Sequence, residues 1–305
     1  MALDFTRMLR YVDAVARAGS IRAAAEKLHI VSSALTRRIL DLEHELGTSL
    51  FERTPRGVRL TAAGEAYLHF ARHALSEHNA VLSRIEDLKG LRRGVIRLSS
   101  ISAIAAEELP RLIADFQQSH PDVTFDITIA GSDDVVRSVV EDETDCGIAF
   151  NPPPDPAFTI LARTRQQLCA VMHRDHPLAS RTVLRLPDCA AYRVALGDST
   201  WGGRQMLDHY LAASGTELNV GLQTNSNEVM AGFARNNSGL YFQIGFHEKR
   251  HPLSTELVAI PLAEFRDSTR QMVLGIRKGR SLPVISDVFC TFLRTYLFAR
   301  QEPSV

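Results

Sequence analysis

The 305-residue sequence predicts a multidomain α+β chain: a mostly helical N-terminal unit ending in a hairpin and a long helix, then two α/β lobes. Three observations carry this. Over the first ninety residues apolar side chains recur every three or four positions, interrupted only by glycine, a short break and one proline turn. From Gly94 onward, strand-like apolar runs alternate with amphipathic helical ones, which argues for parallel strands joined by crossover helices. The chain is also too long for one ordinary domain, and at 45% hydrophobic residues it can fill two or three cores. The boundaries expected are 1–60 for the first domain, 61–90 for the long helix and 91–305 for the lobes.

Lysine plus arginine (35) balance aspartate plus glutamate (35), so overall charge selects no partner. Its distribution is uneven. Residues 1–93 hold 15 basic and 11 acidic side chains, net +4, and the remainder is net −4, the direction expected if the N-terminal part meets phosphate. The opening residues mix acids and arginines in an amphipathic pattern, unlike a signal peptide, and no later run is apolar enough to cross a bilayer. Four cysteines (Cys146, Cys169, Cys189, Cys290) show no C-x-x-C spacing. A reducing cytoplasm without a membrane partner is the expectation.

Phe5, Leu9, Val12 and Val15 mark the inner face of a first helix from Asp4 to Ala18 that Gly19 can end. Ser20 caps a second, Ile21 to Leu28, whose alanines at 23, 24 and 25 permit close approach to a neighbour. His29 to Val31 break the pattern. A third helix runs from Ser32 to Gly47 with Leu35, Ile39, Leu42 and Leu46 inward. At about 100° per residue, Ser33 and Arg37 lie roughly 150–160° from that stripe, flanked by Ala34 and Thr36. A slim polar face with a guanidinium suits the major groove: Ser and Thr for base edges or phosphates, Arg for guanine or phosphate. These helices alone fit a plain amphipathic hairpin as well as a helix-turn-helix.

The next segment favours the helix-turn-helix. "SLFERTPRGVRLT" offers Leu50–Arg53 and Val58–Leu60 as strands around a Thr-Pro-Arg-Gly turn, with Arg53, Arg56 and Arg59 able to touch a DNA backbone as a wing. Thr61 caps a long helix on which Leu68, Leu75 and Leu82 are seven apart, as are Tyr67, Ala74, Val81 and Leu88, with Ala71 and Ile85 on the same side. A sustained heptad face calls for a partner helix, which favours a dimer over packing within the chain.

Together these residues resemble the LysR-type transcriptional regulators. The resemblance runs through "RAAAEKLHIVSSALTRRILDLEHELGTSLFERTPRGVRLTAAGE", with the alanine run, recognition helix, E-L-G, L-F-E-R and R-L-T-x-A-G in register over residues 4–65. Where many members have Ser-Gln-Pro, this chain has Val31-Ser32-Ser33, so the family's base contacts do not transfer there. The resemblance implies a winged helix-turn-helix that binds promoter DNA, and the exposed helix face and the wing make Ser32, Ser33, Ala34, Thr36, Arg37, Arg38, Arg53 and Arg56 the residues expected at it. It also implies a homodimer or homotetramer, RNA polymerase as a further partner, and a periplasmic-binding-protein-like domain for a small-molecule effector.

After a hinge at Gly90–Gly94 the strands expected are "GVIRLSSI", "DVTFDITIAG", "DCGIAF", "QLCAVMH", "YRVALG", "NVGLQT", "GLYFQI" and "RQMVLGIR", with helices between and a last helix from Pro283 to Arg300. Ligands in such sheets sit at carboxyl ends of strands and at helix N-termini. Carried over by position, the effector cleft is lined by Ser99, Ser100, Ile101, Ser102, Gly131, Ser132, Ser199, Thr200, Asn225 and Ser226. Hydroxyls and amides beside free N–H groups, with no arginine or lysine among them, point to a small carboxylate. Each serine taken singly can simply cap its own helix.

Two other function classes have a foothold in the sequence. "HEKRH", His247 to His251, matches a zinc-protease string, but Pro252 disfavours a helix there and a loop is expected. "GDSTWGG" has Trp where a nucleophile elbow needs Gly, and His173 and His176 beside Pro177 read as a polar turn. A thiol-based redox sensor would use Cys189, the one cysteine expected in a loop, since the other three fall in apolar strands or a helix face. No catalytic residue, metal or cofactor is expected.

Overall fold

The structure is a computed structural model that describes residues 2–55, 57–88, 93–105, 108–246, 251–252, 256–266 and 269–298. The chain forms two compact units: Met1–Leu91 with Glu141–Glu143 and Gly279–Val284, and the rest. Residues 90–92 of the expected hinge lie outside the described residues.

In the first unit α1 (Ala2–Ala18) stops at Gly19, whose φ of +59° suits a residue without Cβ. Ser20 accepts a hydrogen bond from the Ala23 N–H at 3.5 Å and starts α2 (Ile21–Lys27). After a turn through His29, also left-handed, α3 (Ser32–Leu46) ends at Gly47, φ +67°. Val12, Val15, Ala24, Ala25, Leu35 and Ile39 close one core with Leu50 and Leu68. Two apolar residues assigned inward are not. Phe5 is 52% exposed, its ring meeting the similarly open Phe70 at 6.3 Å, and Leu46, at the last turn of its helix, is 44% exposed.

Strands β1 (Phe51–Thr54) and β2 (Gly57–Leu60) pair antiparallel, Phe51 opposite Leu60, and the Val58 N–H donates to Gly19 O at 2.8 Å. That bond ties the wing to the turn between α1 and α2. A Cβ at Gly57 would collide with the Gly19 carbonyl, so this approach requires glycine. The Thr61 hydroxyl accepts from the Gly64 N–H at 3.0 Å and opens α4 (Ala62–Leu88). Half-way along, the Arg72 guanidinium is buried and bonds Asp13 of α1 at 2.9 Å.

The second unit begins with β3 (Gly94–Ser100), α5 (Ser102–Ala105), α6 (Glu108–Ser119), β4 (Val123–Ile129), α7 (Ser132–Val140) and β5 (Cys146–Phe150). β3 pairs parallel with both β4 and β5, as the alternating pattern predicts. Next come β6 (Phe158–His173), α8 (Leu186–Ala190), β7 (Arg193–Leu196), α9 (Gly202–Ser214), β8 (Asn219–Gln223), α10 (Asn227–Arg235) and β9 (Leu240–Phe246), with β7 parallel to β8 and β9. Then β10 (His251–Pro252), β11 (Leu257–Pro261), a short 3-10 turn, β12 (Gln271–Arg277), α11 (Val284–Leu293) and a π turn (Arg294–Phe298) finish the described chain. Residues 299 and 300 of the expected last helix lie outside it.

What joins the lobes is antiparallel, unlike the parallel strands the alternating pattern predicts within each lobe. The 16-residue β6 pairs with β12 over Phe158–Arg165 and with β9 over Gln166–Met172, and β12 pairs with β5. One strand thus belongs to both lobes, and β12 brings the chain back to the first. The polar stretch Arg163 to Gln167 lies between the two apolar runs of β6 with no glycine or proline to end the strand, so the "QLCAVMH" run marks only its C-terminal half. Phe116, Phe125 and Phe289 form an edge-on aromatic cluster in the first lobe, centroids 4.9–6.1 Å apart. Cys169, Val171, Ala195, Met230 and Tyr241 anchor the core of the second.

Candidate nucleic-acid interface and ligand cleft

On α3, Leu35, Ile39 and Leu42 are buried while Ser33, Ala34, Arg37 and Arg38 are exposed and Ser32 and Thr36 half-buried. The periodicity therefore placed this face correctly. Val31, at the N-cap, offers no side-chain cap, and the Ser32 and Ser33 N–H groups find no partner among the described residues. The Thr36 hydroxyl donates to Ser32 O at 2.9 Å, which leaves it only as an acceptor. On the wing Arg53 is exposed, whereas Arg59 is held by Glu52 at 2.6 Å. Arg56 lies outside the described residues.

In the second unit a cleft of about 620 Å³, open solvent at its mouth included, lies between the two lobes. Ile101, Ser102, Gly131 and Ser132 line it, as expected. Six other expected residues do not. Ser99 and Ser100 are the last two residues of β3 and are fully buried inside the lobe. Thr200 is exposed and donates its hydroxyl to Asp198 Oδ1 at 2.7 Å, with Ser199 exposed beside it. Asn225 is exposed, and Ser226 accepts from the Val229 N–H at 3.3 Å to cap α10; Asn227, one residue further, reaches the cleft instead. In these places the turn chemistry, an Asx-type bond or an N-cap, claims the polar group.

Ser132 lines the cleft with its hydroxyl already engaged twice, donating to Phe150 O at 2.9 Å and accepting from Phe150 N at 3.0 Å. It fixes the start of α7 to the end of β5. Across the cleft stand groups that the sequence reading left out: Trp201, Gly202, Gly203 and Arg204 at the start of α9, and Gln243, whose amide donates to Ala103 O at 2.8 Å. Phe150 packs so close to Gly202, and Trp201 to Gly197, that a Cβ on either glycine would strike the ring. Arg204 donates through Nε to Asp208 at 2.7 Å and through Nη1 to Gly197 O at 2.8 Å. In the sequence that i,i+4 pair reads as a surface salt bridge, which hides the arginine's place at the cleft. The backbone and hydroxyl donors of Thr200, and then the charge of Arg204, hold Asp198 below the usual carboxylate range.

The motifs set aside fall as follows. His251 begins β10, paired with Ala259, rather than lying in a loop, and His247 to Arg250 lie outside the described residues. Among the described residues no cluster of three or more His, Cys, Asp or Glu could hold a metal. Cys189 is not in a loop: it lies in α8, fully buried, and burial with Asp188 and Glu264 nearby pushes its thiol up to about 12. Burial alone does the same at Cys169. The proline at the start of α8 supplies a helix N-terminus that looked like a loop signal.

An exposed helix face with a wing beside it, and a two-lobed α/β unit with a cleft, define a ligand-responsive DNA-binding regulator. Residues 6–65 match the model of the bacterial regulatory helix-turn-helix proteins of the lysR family, and residues 89–297 the LysR substrate binding domain. The chain belongs to the LysR family of transcriptional regulators. It is 31% identical to the RuBisCO operon transcriptional regulator of Allochromatium vinosum over 94% of both chains. It is 32% identical to the HTH-type transcriptional regulator CbbR of Rhizobium meliloti over 73% of this chain and 72% of that one. The fold matches full-length CbnR in complex with its target DNA at TM-score 0.61 and 22% identity, over 95% of this chain and 99% of CbnR.

Proposed function

We propose that this chain binds promoter DNA as an oligomer, with α3 in the major groove and the wing on the backbone, and that a small carboxylate in the cleft changes the arrangement of that oligomer. The observation that carries the reading is α3: one face buried in the core, the other presenting Ser32, Ser33, Ala34, Thr36, Arg37 and Arg38. Arg53 on the wing is assigned to phosphate, and so, from its place in the sequence alone, is Arg56. The working boundaries are 1–60 for DNA binding, 61–90 for a dimerising helix and 91–305 for effector binding. α4 supports the second of these, because Val81, Leu82, Ile85 and Leu88 are exposed along it. The cytoplasm is its place of work, and among the described residues no helix is long and apolar enough to cross a membrane.

Regulation rather than catalysis is favoured by His251 standing in a strand, where the zinc-protease string cannot put both histidines on one helix face. A redox switch is disfavoured because Cys169 and Cys189 are buried and held as thiols. The promoter of a RuBisCO operon, named for the Allochromatium vinosum relative, is the first DNA to assay. Arg37→Ala is expected to weaken operator binding by about 1–3 kcal/mol and to relax specificity at one position. Arg53→Ala should weaken all sequences alike and reduce the slope of log K against log salt by about 1. Fluorescence anisotropy across a salt series measures both, and unchanged affinity in Arg37→Ala would overturn the placement of α3.

A further inference from the structure

We propose that Arg204 is the residue that reads the oxyanion of the effector, so that the ligand lies with its charged end on the second lobe and its apolar body on the first. This rests on the reading of the cleft as the effector site. The serines of strand ends, the groups a sequence reading would choose, are the wrong ones here. Ser132 spends its donor on Phe150 and Thr200 on Asp198, while Ser226 caps its own helix and does not line the cleft. The first lobe contributes Ile101, Ala103, Ala130 and Phe150, a mainly apolar wall on which Ser102 stands as a neutral hydroxyl with no cation beside it among the described lining residues. The helix that starts there, α7, carries Asp133 and Asp134 in its first turn, which already meet its dipole and repel a second anion.

The second lobe differs on every count. The 13-residue α9 starts with no side-chain cap and no acid in its first turn, and Gly202, Gly203 and Arg204 all line the cleft. Their backbone N–H groups have no partner among the described residues. Asp208 and the Gly197 carbonyl each take one donor of the guanidinium and fix its plane, leaving three of its five N–H bonds. Arg204 is mostly buried, so a bond from it to a ligand oxygen is poorly screened. The class of ligand is a carboxylate or a phosphate monoester on a compact apolar body. Asp208 is a positioning residue, since it acts through Arg204.

Trp201 is the single tryptophan of the chain and lines the same cleft, so its emission reports occupancy directly. Full-length protein is titrated with benzoate, phenyl phosphate and, as the uncharged isostere, benzamide. A saturable change is expected with at least one of the two anions and not with benzamide. Arg204→Met should raise the dissociation constant at least tenfold, Arg204→Lys by a smaller factor, with the ligand-free melting temperature of the lysine variant near that of the wild type. Benzoate against phenyl phosphate separates the two oxyanions. An anion that binds wild type and both variants equally, or benzamide binding as well as benzoate, overturns the assignment of Arg204 and leaves the cleft reading standing. No saturable change in wild type with either anion overturns both.

Discussion

At the scale of single residues, a polar side chain is available to a ligand only if its own backbone has not already claimed it. Thr36, Thr200 and Ser226 each have a hydroxyl bonded within four residues of itself, and Ser132 at the start of α7 is held by the Phe150 backbone at the end of β5. The same logic applies to the thiols. With Cys169 and Cys189 pushed up to about 12 by burial, neither is a thiolate at neutral pH. Ellman's reagent should label neither in native protein and both after denaturation, and Cys189→Ser should bind operator DNA with unchanged response to peroxide. His176 is 6% exposed, accepts the Leu178 N–H at Nδ1 (3.2 Å) and packs against Tyr192; burial lowers its pKa. A folded-state pKa below the unfolded one favours the neutral ring, so its contribution is full above about 6.5 and is lost as pH falls from there through the lowered value. The decline in melting temperature between about pH 7 and pH 5 should be shallower in His176→Gln.

At the scale of elements, α4 serves two neighbours in succession. Leu68 and Ala71 are buried in the first unit's own core, while Val81, Leu82, Ile85 and Leu88, farther along, are 43–87% exposed. The heptad stripe is thus not uniform, because its first turns pack within the chain before a partner helix could meet them. Two substitutions separate these roles. Leu82→Asp should leave the melting temperature of the ligand-free protein nearly unchanged and shift sedimentation at low micromolar concentration toward monomer. Leu68→Ala removes a buried side chain and should cost about 2–5 kcal/mol in urea denaturation with the oligomeric state of the folded fraction unaffected. A dimeric Leu82→Asp would show that α4 is not the principal contact.

For the whole molecule, the local code set the periodic elements and long-range pairing set the rest. The helix faces of α1 and α3, the caps at Ser20 and Thr61, the turn glycines and the parallel strands of each lobe were legible, because i to i+4 spacing and strand alternation are local properties. The family was legible for the same reason: its motifs lie in one contiguous run, residues 4–65. The path of β6 through both lobes, the antiparallel return of β12, the burial of Cys189 in α8 and the place of Arg204 were not. Each depends on which segment far away in sequence becomes a neighbour, and no spacing rule carries that information. The sequence by itself determined that this chain holds a helix-turn-helix with a wing and a two-lobed α/β unit. The tertiary structure alone decided which polar groups reach the cleft, since a side chain's availability depends on partners that only folding brings within hydrogen-bond distance.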